Sequence, residues 1–325
     1  MKEILFAAAL SLLFPALSAP AGEKALELKW AQPEPAGHPW TNIGEEICKE
    51  IDRRSGGRIK ITQYPAGQLG SHLELVEMLR TGSVAFHTSG PAALNAFDER
   101  VQIFNIPYLI KSKEQAYRIY EAEVGQKMFN DVILKRSGIR TLQFWYFGTR
   151  TLTLNRPVTK PEDLAGAKVR CMEMPIFKDA ISSLGANPTP ITFSELYLAL
   201  QTKVVDGQEN PIPTIYAQKF YEVQPYIILT NHTVHMGTVH ISEMVWQRLS
   251  KADQDLILAV FNEYRPRIDE AIEKDAVEKL EVMKKGGVTV IEPDYEAFKK
   301  YSLAYMMERY GEKWGDLISA FKALE

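Results

Sequence analysis

The chain has 325 residues, of which 46% are hydrophobic and 24% are charged, and its formal net charge is −3 at pH 7. This composition is that of an ordinary soluble globular protein, and the length suits two domains or one large one. A slightly acidic chain without a basic cluster and interleaved aromatic residues does not fit a nucleic-acid-binding protein.

The first residues have the features of a secretory signal peptide. Lys2 precedes an apolar run from Ile4 to Leu17, which is followed by the small residues of Ser18–Ala21. We expect cleavage after Ala21, so residues 1–21 are the predicted signal peptide and the mature protein is exported. Glu3 is unusual in such a segment, so an uncleaved anchor is the alternative. No cysteine follows the cut, and no later run approaches the roughly 18 apolar residues that span a bilayer.

Beyond the signal, strand-like and helix-like segments alternate, which is typical of an α/β protein. Alternating or β-branched apolar residues predict strands at 26–31, 58–64, 83–89, 139–147, 149–155, 168–172, 204–206 and 226–241. Apolar residues at helical spacing predict helices at 39–54, 71–81, 175–184, 193–202 and 250–285, the last beginning with a capping box from Ser250 to Asp253. Cys48 and Cys171 fall within this pattern as small core residues, with a disulfide as the alternative.

The chain crosses between two predicted domains at the Phe147–Gly148 junction and returns along the strand at 226–241. We therefore predict domain I from residues 22–147 plus about 236–275, and domain II from 148–235 plus about 276–325. The helix at 250–285 has no clear break and is long enough to bridge both.

Two arginines and a Gln-Glu-Asn step are the strongest functional signal. Arg150 ends the segment Phe-Gly-Thr-Arg, Arg170 ends Gly-Ala-Lys-Val-Arg, and Asn210 closes Gly-Gln-Glu-Asn. Each arginine lies in apolar strand sequence near a glycine, which favours an inward-facing role over an ordinary surface charge. Two arginines in one pocket favour an anionic ligand, because a planar guanidinium binds a carboxylate through two parallel hydrogen bonds.

Several longer segments resemble one protein family. They are Tyr64–Gly70, Gly185–Pro190, Phe193–Thr202, Val205–Pro211 and Ala217–Gln224. Together they resemble the DctP-type periplasmic substrate-binding proteins of TRAP (tripartite ATP-independent periplasmic) transporters, and the resemblance covers essentially the mature chain.

The resemblance implies an α/β fold of two domains, with hinge strands, a long helix across both domains and a ligand cleft between them. It implies a periplasmic receptor that closes around an organic anion and delivers it to a membrane permease. Arg170 matches the family's principal carboxylate-binding arginine, Arg150 the arginine of the Gly-Thr-Arg step, and Asn210 the asparagine of Gly-Gln-Glu-Asn. A hydrogen bond to a charged group contributes roughly 1.5–3 kcal/mol, and micromolar binding needs about 8 kcal/mol. The carboxylate-binding residues could thus supply about half of the free energy of binding, and the pocket walls must supply the rest. The three residues would set the class of ligand, and the walls would determine which ligand of that class binds.

An aromatic run, Phe144–Phe147, supplies the main candidates for those walls. Alternate residues of a strand face opposite sides, so one pair can face the cleft, and Trp145 or Phe147 would then stack on the ligand. The alternative is that all four pack in the core or the hinge. Phe193 and Tyr216 are further wall candidates.

Three polar positions are candidates for the rest of the site. His38 lies in the loop after the first strand, where such proteins often contact ligand, although a loop histidine can also be merely exposed. Family members that bind sialate have acidic residues after the Gln-Leu-Gly motif and after the third strand. This chain has Ser71-His72 and Ser89-Gly90 there, so we expect His72 and Ser89 at the site and do not expect sialate.

Neither a metal nor a cofactor is predicted. His232, His235 and His240 share a strand, but alternation turns His235 away from the other two, and no cysteine lies nearby. Glu209, beside the arginines, either orients one of them or is a general base. Without any other catalytic motif we predict a binding protein and not an enzyme.

The predicted partners are a small organic acid and the TRAP permease subunits, and the protein is predicted to be a monomer. The ligand classes favoured are a 2-oxo or hydroxy acid, an aromatic acid or a C4-dicarboxylate, over a polyhydroxylated sugar acid. An exported enzyme acting on a carboxylate and a ligand-sensing partner of a membrane receptor are the alternatives.

Overall fold

The computed structural model describes residues 24–325, so the predicted signal peptide lies outside the described residues. Within them, one mixed sheet is flanked by helices. Its strands are Leu26–Ala31 (β1), Ile59–Tyr64 (β2), Phe86–Ser89 (β3), Ile139–Leu154 (β4), Lys168–Cys171 (β5), Asn187–Pro190 (β6), Gly207–Pro211 (β7), Tyr226–Ser242 (β8) and Thr289–Ile291 (β9).

The α-helices of the described residues are Pro39–Arg54 (α1), His72–Thr81 (α2), Lys113–Glu121 (α3), Glu123–Gln126 (α4), Leu134–Ser137 (α5), Pro175–Leu184 (α6), Leu196–Gln201 (α7), Ile212–Ala217 (α8), Glu243–Trp246 (α9), Lys251–Lys285 (α10) and Tyr295–Lys322 (α11). Short 3₁₀ turns lie at Pro91–Leu94, Glu99–Asn105, Pro161–Leu164, Phe193–Glu195 and Phe220–Glu222, and a π-helical segment at Lys127–Ile133.

Two long antiparallel strands, β4 and β8, join the two halves of the sheet. The strand order is β2-β1-β3-β8-β4-β7-β5-β6, with β9 also beside β8. β1 is parallel to β2 and β3 on one side, and β5 is parallel to β6 and β7 on the other. The far end of β8 pairs with β3, and the far end of β4 pairs with β7. Side chains near the middle of β4 and β8 therefore lie between the two parallel groups.

The register of β4 against β8 shifts between Tyr146 and Gly148. Gly148 has a φ of +117°, and a Cβ on it would lie 2.7 Å from the Cβ of Pro211. Only glycine fits such a backbone at such a close approach. The predicted domain boundary at this position remains a prediction.

The described residues form several hydrophobic cores, and the largest includes side chains from both halves of the sheet. Trp30, Trp145 and Phe261 belong to a core beside β1 and α1 that also holds Cys48. Cys171 lies in the largest core, which extends under α6 and α11. Both cysteines are buried and unpaired with each other, as the apolar pattern around them predicted.

The long helix α10 contacts both halves. With 35 residues it is roughly 50 Å long. In its first half Glu263 pairs with Arg54 of α1 at 2.7 Å, and near its end Met283 packs into the core under α7 and α8. Among the described residues no helix, α10 and α11 included, has an apolar stretch that could cross a membrane.

Most predicted elements are confirmed, with one clear error. The predicted strand at 204–206 is wrong, because the strand β7 begins at Gly207. The chain is still turning out of α7 there: Lys203 has a φ of +59°, and the amide of Val204 donates to the carbonyl of Ala199 at 2.9 Å. The predicted helix at 193–202 begins as a 3₁₀ turn and becomes α-helical only at Leu196.

Candidate ligand-binding site

A cleft opens between the loops that follow β1 and β3 and the strands β4, β5 and β7. The inner part of this cleft is narrow and leads into an outer chamber of about 670 Å³. Arg150, Arg170 and Asn210 all line this inner cavity. The outer chamber shares His72 and Phe193 with it.

Arg150, on β4, is buried and held by the neighbouring strand β7. Its Nη2 donates to Oε1 of Glu209 at 2.7 Å and to Oδ1 of Asn210 at 3.1 Å, and its Nε donates to Oε2 of Glu209. The register that sets Arg150 opposite Pro211 brings these partners alongside. Within residues 24–325 its Nη1 has no hydrogen-bond partner, so it remains able to donate into the cavity.

Glu209 lies behind Arg150 and does not line the cavity. Burial opposes its ionisation, but the charge of Arg150 and hydrogen bonds from His232 and Arg150 lower the pKa of Glu209 to about 2. His232 Nε2 is 3.3 Å from the carboxylate. A carboxylate this acidic is a poor general base near neutral pH, and its contacts are those of a group that orients Arg150.

Arg170, on β5, is equally buried but has a different environment. Its Nε donates to the backbone oxygen of Ile191 at 2.9 Å. In the part of the chain that the structure describes, no carboxylate lies within 4 Å of its guanidinium, whose terminal nitrogens make no hydrogen bond. Burial lowers the pKa of Arg170 to about 10, although the charge of Glu209 opposes this shift. Arg170 is therefore a buried cation without a direct anionic partner.

Asn210 is fixed by a short chain of hydrogen bonds on β7. Its Nδ2 donates to Oε1 of Gln208 at 2.6 Å, and Nε2 of Gln208 donates to Oγ1 of Thr153 on β4 at 3.0 Å. With its oxygen taken by Arg150, the amide has one remaining N–H. The three predicted carboxylate-binding residues thus meet in one cavity with free donors.

Aromatic side chains pack on both arginines and form much of the wall. Phe177 lies 5.7 Å from the guanidinium of Arg150, and Phe193 lies 5.7 Å from that of Arg170. Phe147 lines the cavity and packs edge-on against Trp40, with ring centroids 4.6 Å apart.

Trp145 is not on the wall. Its ring is fully buried, packs against Trp30, Trp40 and Phe261, and donates to Oε1 of Gln143 at 2.5 Å. Strand alternation puts it on the same face as Phe147, but the tryptophan of α1 covers it, so it lies one layer deeper. Tyr216 stacks on Tyr221 outside the cavity.

His38 is neither exposed nor on the cavity wall. Its Nδ1 accepts from the amide of Trp40 at 3.2 Å, which makes it the N-cap of α1, and Nε2 is 3.4 Å from Oγ1 of Thr214. Burial lowers the pKa of His38 to about 3, so the ring is neutral. His72 and Ser89 do line the cavity, and Oγ of Ser89 has no partner among the described residues.

Several lining residues were not predicted from the sequence. Met172 and Met174 continue the alternation that begins at Arg170, a signal that the sequence does contain. Glu34, in the loop after β1, is 2% exposed and also lines the cavity. His235 lines it as well, with Nδ1 3.1 Å from Nδ2 of Asn105.

The three histidines of β8 contact different partners. His232 is beside Glu209, His235 beside Asn105, and Nδ1 of His240 is 3.1 Å from Oγ1 of Thr141. Within residues 24–325 no group of three potential metal ligands converges.

Comparison with known proteins gives a consistent result over nearly the whole chain. The family model described as bacterial extracellular solute-binding protein, family 7 (DctP), matches residues 30–312. The sialic acid-binding periplasmic protein SiaP of Vibrio cholerae is 34% identical over 276 residues, which are 85% of this chain and 86% of that protein.

Solved structures of TRAP-type proteins superpose closely. A TRAP periplasmic solute-binding protein from Polaromonas sp. JS666, bound to D-erythronate, has a TM-score of 0.85 and 29% identity, covering 91% of this chain and 98% of its own. The sugar-acid-binding protein DctPAm from Advenella mimigardefordensis, in complex with galactonate, has a TM-score of 0.87 and 27% identity, covering 93% and 99%.

Proposed function

Because the chain belongs to bacterial extracellular solute-binding protein family 7, whose members are the periplasmic receptors of TRAP transporters, we propose that it binds one small organic acid between its two domains and delivers it to a TRAP permease. The protein would act as a monomer in the periplasm, after removal of residues 1–21. The name of the Vibrio relative, a periplasmic protein, supports this location.

The observation that carries the proposal is the environment of Arg170. A guanidinium that is buried at a cleft without a carboxylate within 4 Å among the described residues is costly unless an anion binds to it. Arg150 Nη1 and the amide of Asn210 supply further donors in the same cavity. A ligand carboxylate would accept from all three.

Binding would drive closure by shifting a population. The arginines come from β4 and β5, whereas the opposite wall comes from the loops after β1 and β3. A ligand that touches both walls stabilises the closed form by its differential affinity for that form. The closed form would then present its surface to the permease.

We propose binding and not catalysis. Glu209, which alone suggested a general base, is bound on both oxygens by Arg150 and remains ionised down to about pH 2. Recovery of an unchanged acid in stoichiometric amount after incubation with the protein would support this, whereas turnover would contradict it.

The ligand is best sought among hydroxy acids, 2-oxo acids, aromatic acids and C4-dicarboxylates. Two solved relatives hold polyhydroxylated sugar acids, D-erythronate and galactonate, so this class, which the sequence did not favour, belongs in the search as well. Sialate is a weaker candidate, because neutral His72 and Ser89 line the cavity, although the Vibrio relative is named for it.

The test is a thermal-shift screen of residues 22–325, unfolded and refolded beforehand to remove any co-purified ligand. The panel contains D-erythronate, galactonate, 2-hydroxybutyrate, 2-oxobutyrate, benzoate, succinate and sialate. A hundredfold excess of ligand over its Kd stabilises the folded state by about 2.7 kcal/mol. We expect a large shift with one of these classes.

Two variants identify the site. Arg170→Met should weaken binding of the best acid by at least about a hundredfold, since it removes charged hydrogen bonds. Arg53→Met, at an exposed arginine of α1, should leave it unchanged. No shift with any acid, or full affinity in Arg170→Met, would overturn the proposal.

A further inference from the structure

Glu34 is a buried carboxyl group with an unsatisfied oxygen at the binding cavity. It lies between two prolines in the loop after β1, and its side chain is 3% exposed. Its backbone oxygen accepts from Oγ1 of Thr41 at 3.2 Å, which fixes the loop against α1. Its Oε2 has no hydrogen-bond partner in residues 24–325, and its nearest basic neighbour is His38, with Nε2 4.0 Å away.

That histidine cannot supply a positive charge. Nδ1 of His38 accepts a hydrogen bond from the amide of Trp40, so only Nε2 carries a proton, and burial keeps the ring neutral. In the described part of the chain no lysine or arginine forms an ion pair with Glu34. An ionised carboxylate would therefore be buried here without a paired cation, which is strongly unfavourable.

The cavity thus favours the neutral acid. Burial raises the pKa of Glu34 to about 8, although the charge of Arg150 and the hydroxyl of Thr214 act in the opposite direction. At neutral pH the group carries both a hydroxyl donor and a carbonyl acceptor.

Building on the proposed function, we propose that Glu34 is a specificity-determining residue, which enters the cavity as an un-ionised carboxylic acid and hydrogen-bonds a hydroxyl or oxo group of the bound organic acid. The geometry that points to this is that Glu34 lines the same cavity as Arg150 and Arg170, and that its buried Oε2 has no hydrogen-bond partner among the described residues. The carboxylate of the ligand would lie on the arginines and its neighbouring oxygen on Glu34.

The predicted selectivity depends on whether the ligand can form a hydrogen bond with the carboxylic acid of Glu34. A hydroxyl can accept from Glu34 and donate to it, and an oxo group can accept from it. An apolar group at the same place leaves the buried acid unsatisfied, and sites built to bind a hydroxyl reject such analogues strongly. Glu34 therefore favours 2-hydroxy and 2-oxo acids over aliphatic and aromatic acids that lack this oxygen.

The same arrangement makes binding pH-dependent. Above about pH 8 an ionised Glu34 would face the carboxylate of the ligand, and affinity would fall. The other titratable groups around the cavity do not change their charge near pH 8. Burial lowers the pKa of all four histidines, to about 3 for His38 and about 4 for His72, and it also lowers the pKa of His232 and His235. Glu209 has a pKa of about 2. Arg150 is paired with Glu209, and Arg170 has a pKa of about 10. A change between about pH 7 and pH 9 therefore reports on Glu34.

The first experiment needs no ligand. Infrared difference spectroscopy of the refolded protein near pH 7 compares wild type with Glu34→Gln in the carbonyl stretch of protonated carboxylic acids. We expect one such band that the variant lacks, whereas Glu45→Gln, at an exposed site of α1, should retain it. Absence of the band in wild type would overturn the proposal.

The second experiment measures affinity for 2-hydroxybutyrate, 2-oxobutyrate and butyrate, and for the best acid of the screen beside its deoxy analogue. Glu34→Gln should keep the preference for the oxygenated acids and lose the fall in affinity above about pH 8. Glu34→Met should lose at least about tenfold of that preference. An unchanged preference in Glu34→Met would overturn the proposal. Failure of every acid to bind would instead overturn the proposed function, and the infrared result would still decide the ionisation of Glu34.

Discussion

Arg150 and Arg170 line the same cavity and are buried to the same degree, yet only Arg150 forms an ion pair among the described residues. Arg150 is bound by both oxygens of Glu209 and by Asn210. Arg170 has only a backbone carbonyl on its Nε. Arg150 is thus paired with an anion of the protein itself, whereas Arg170 has no anionic partner among the described residues.

This difference sets the net charge of the cavity. Two guanidinium groups and the carboxylate of Glu209 sum to +1 as long as Glu34 is protonated. One carboxylate bound at Arg170 would make the buried site neutral. Pre-organisation at Arg150 and unsatisfied charge at Arg170 together favour an anion of fixed orientation.

Removing the charge of Glu209 should have the largest effect on the stability of the ligand-free protein. In Glu209→Gln, Arg150 keeps its burial but loses its anion, and breaking one side of a buried pair costs roughly 3–5 kcal/mol. We expect the midpoint of urea unfolding of the ligand-free protein to fall accordingly.

The matched control is Glu263→Gln, which breaks the partly exposed pair between α10 and Arg54. Surface pairs of this kind contribute about 0–1 kcal/mol. Equal losses of stability in the two variants would mean that burial does not strengthen the pair between Arg150 and Glu209. The proposed energetic difference between Arg150 and Arg170 would then be wrong.

Arg170→Met should change stability in the opposite direction. An uncompensated buried charge is replaced by a flexible apolar side chain, so the ligand-free variant should be more stable than wild type by about 1–3 kcal/mol. The same substitution should weaken ligand binding by at least about a hundredfold, and a gain in stability together with a loss of affinity would separate a binding residue from a structural one.

The difference in stability between the ligand-free Arg170→Met variant and wild type should depend on pH. Burial lowers the pKa of folded Arg170 to about 10, from an ordinary value of 12.5. Below pH 10 the folded state bears the cost of the charge, and this cost decreases as pH rises through 10. The stability gap between variant and wild type should therefore narrow there. A ligand-free variant less stable than wild type would show that Glu209 already compensates Arg170 at a distance.

Much of the fold and the centre of the site could be predicted from local patterns. The periodicity of residues 39–54 and 175–184 reproduces α1 and α6. Arg150 and Arg170 could be found because a charged residue within an apolar strand, close to glycine, is seldom an ordinary surface charge. Their convergence needed the family resemblance, because spacing along a chain does not determine which strands become neighbours.

The wrong or missing predictions concern how deeply a strand residue is buried and how a loop packs against the rest of the protein. Trp145 and Phe147 share a strand face, but only the position of Trp40, more than a hundred residues away in sequence, decides which of them reaches the cavity. Glu34 sits in a Pro-Glu-Pro loop that has every local feature of an exposed turn. Its burial depends on packing against the start of α1, the next element along the chain, and against Thr214 of α8, which is distant in sequence. No local pattern encodes the contact with α8.

The smallest predicted effect concerns the aromatic rings that cover each arginine. Phe193 lies over the uncompensated Arg170, and Phe177 over the neutralised Arg150, both with 5.7 Å from guanidinium carbon to ring centroid. A ring face stabilises a cation by about 0.5–1 kcal/mol, and more when water is excluded. Calorimetric titration with the best acid of the screen should therefore give a two- to fivefold loss of affinity, roughly, in Phe193→Leu. Phe177→Leu should lose less, because the charge beneath it is already shared with Glu209. The reverse order would indicate that the rings act through contact with the ligand itself, and that the difference between the two arginines does not extend to the aromatic wall.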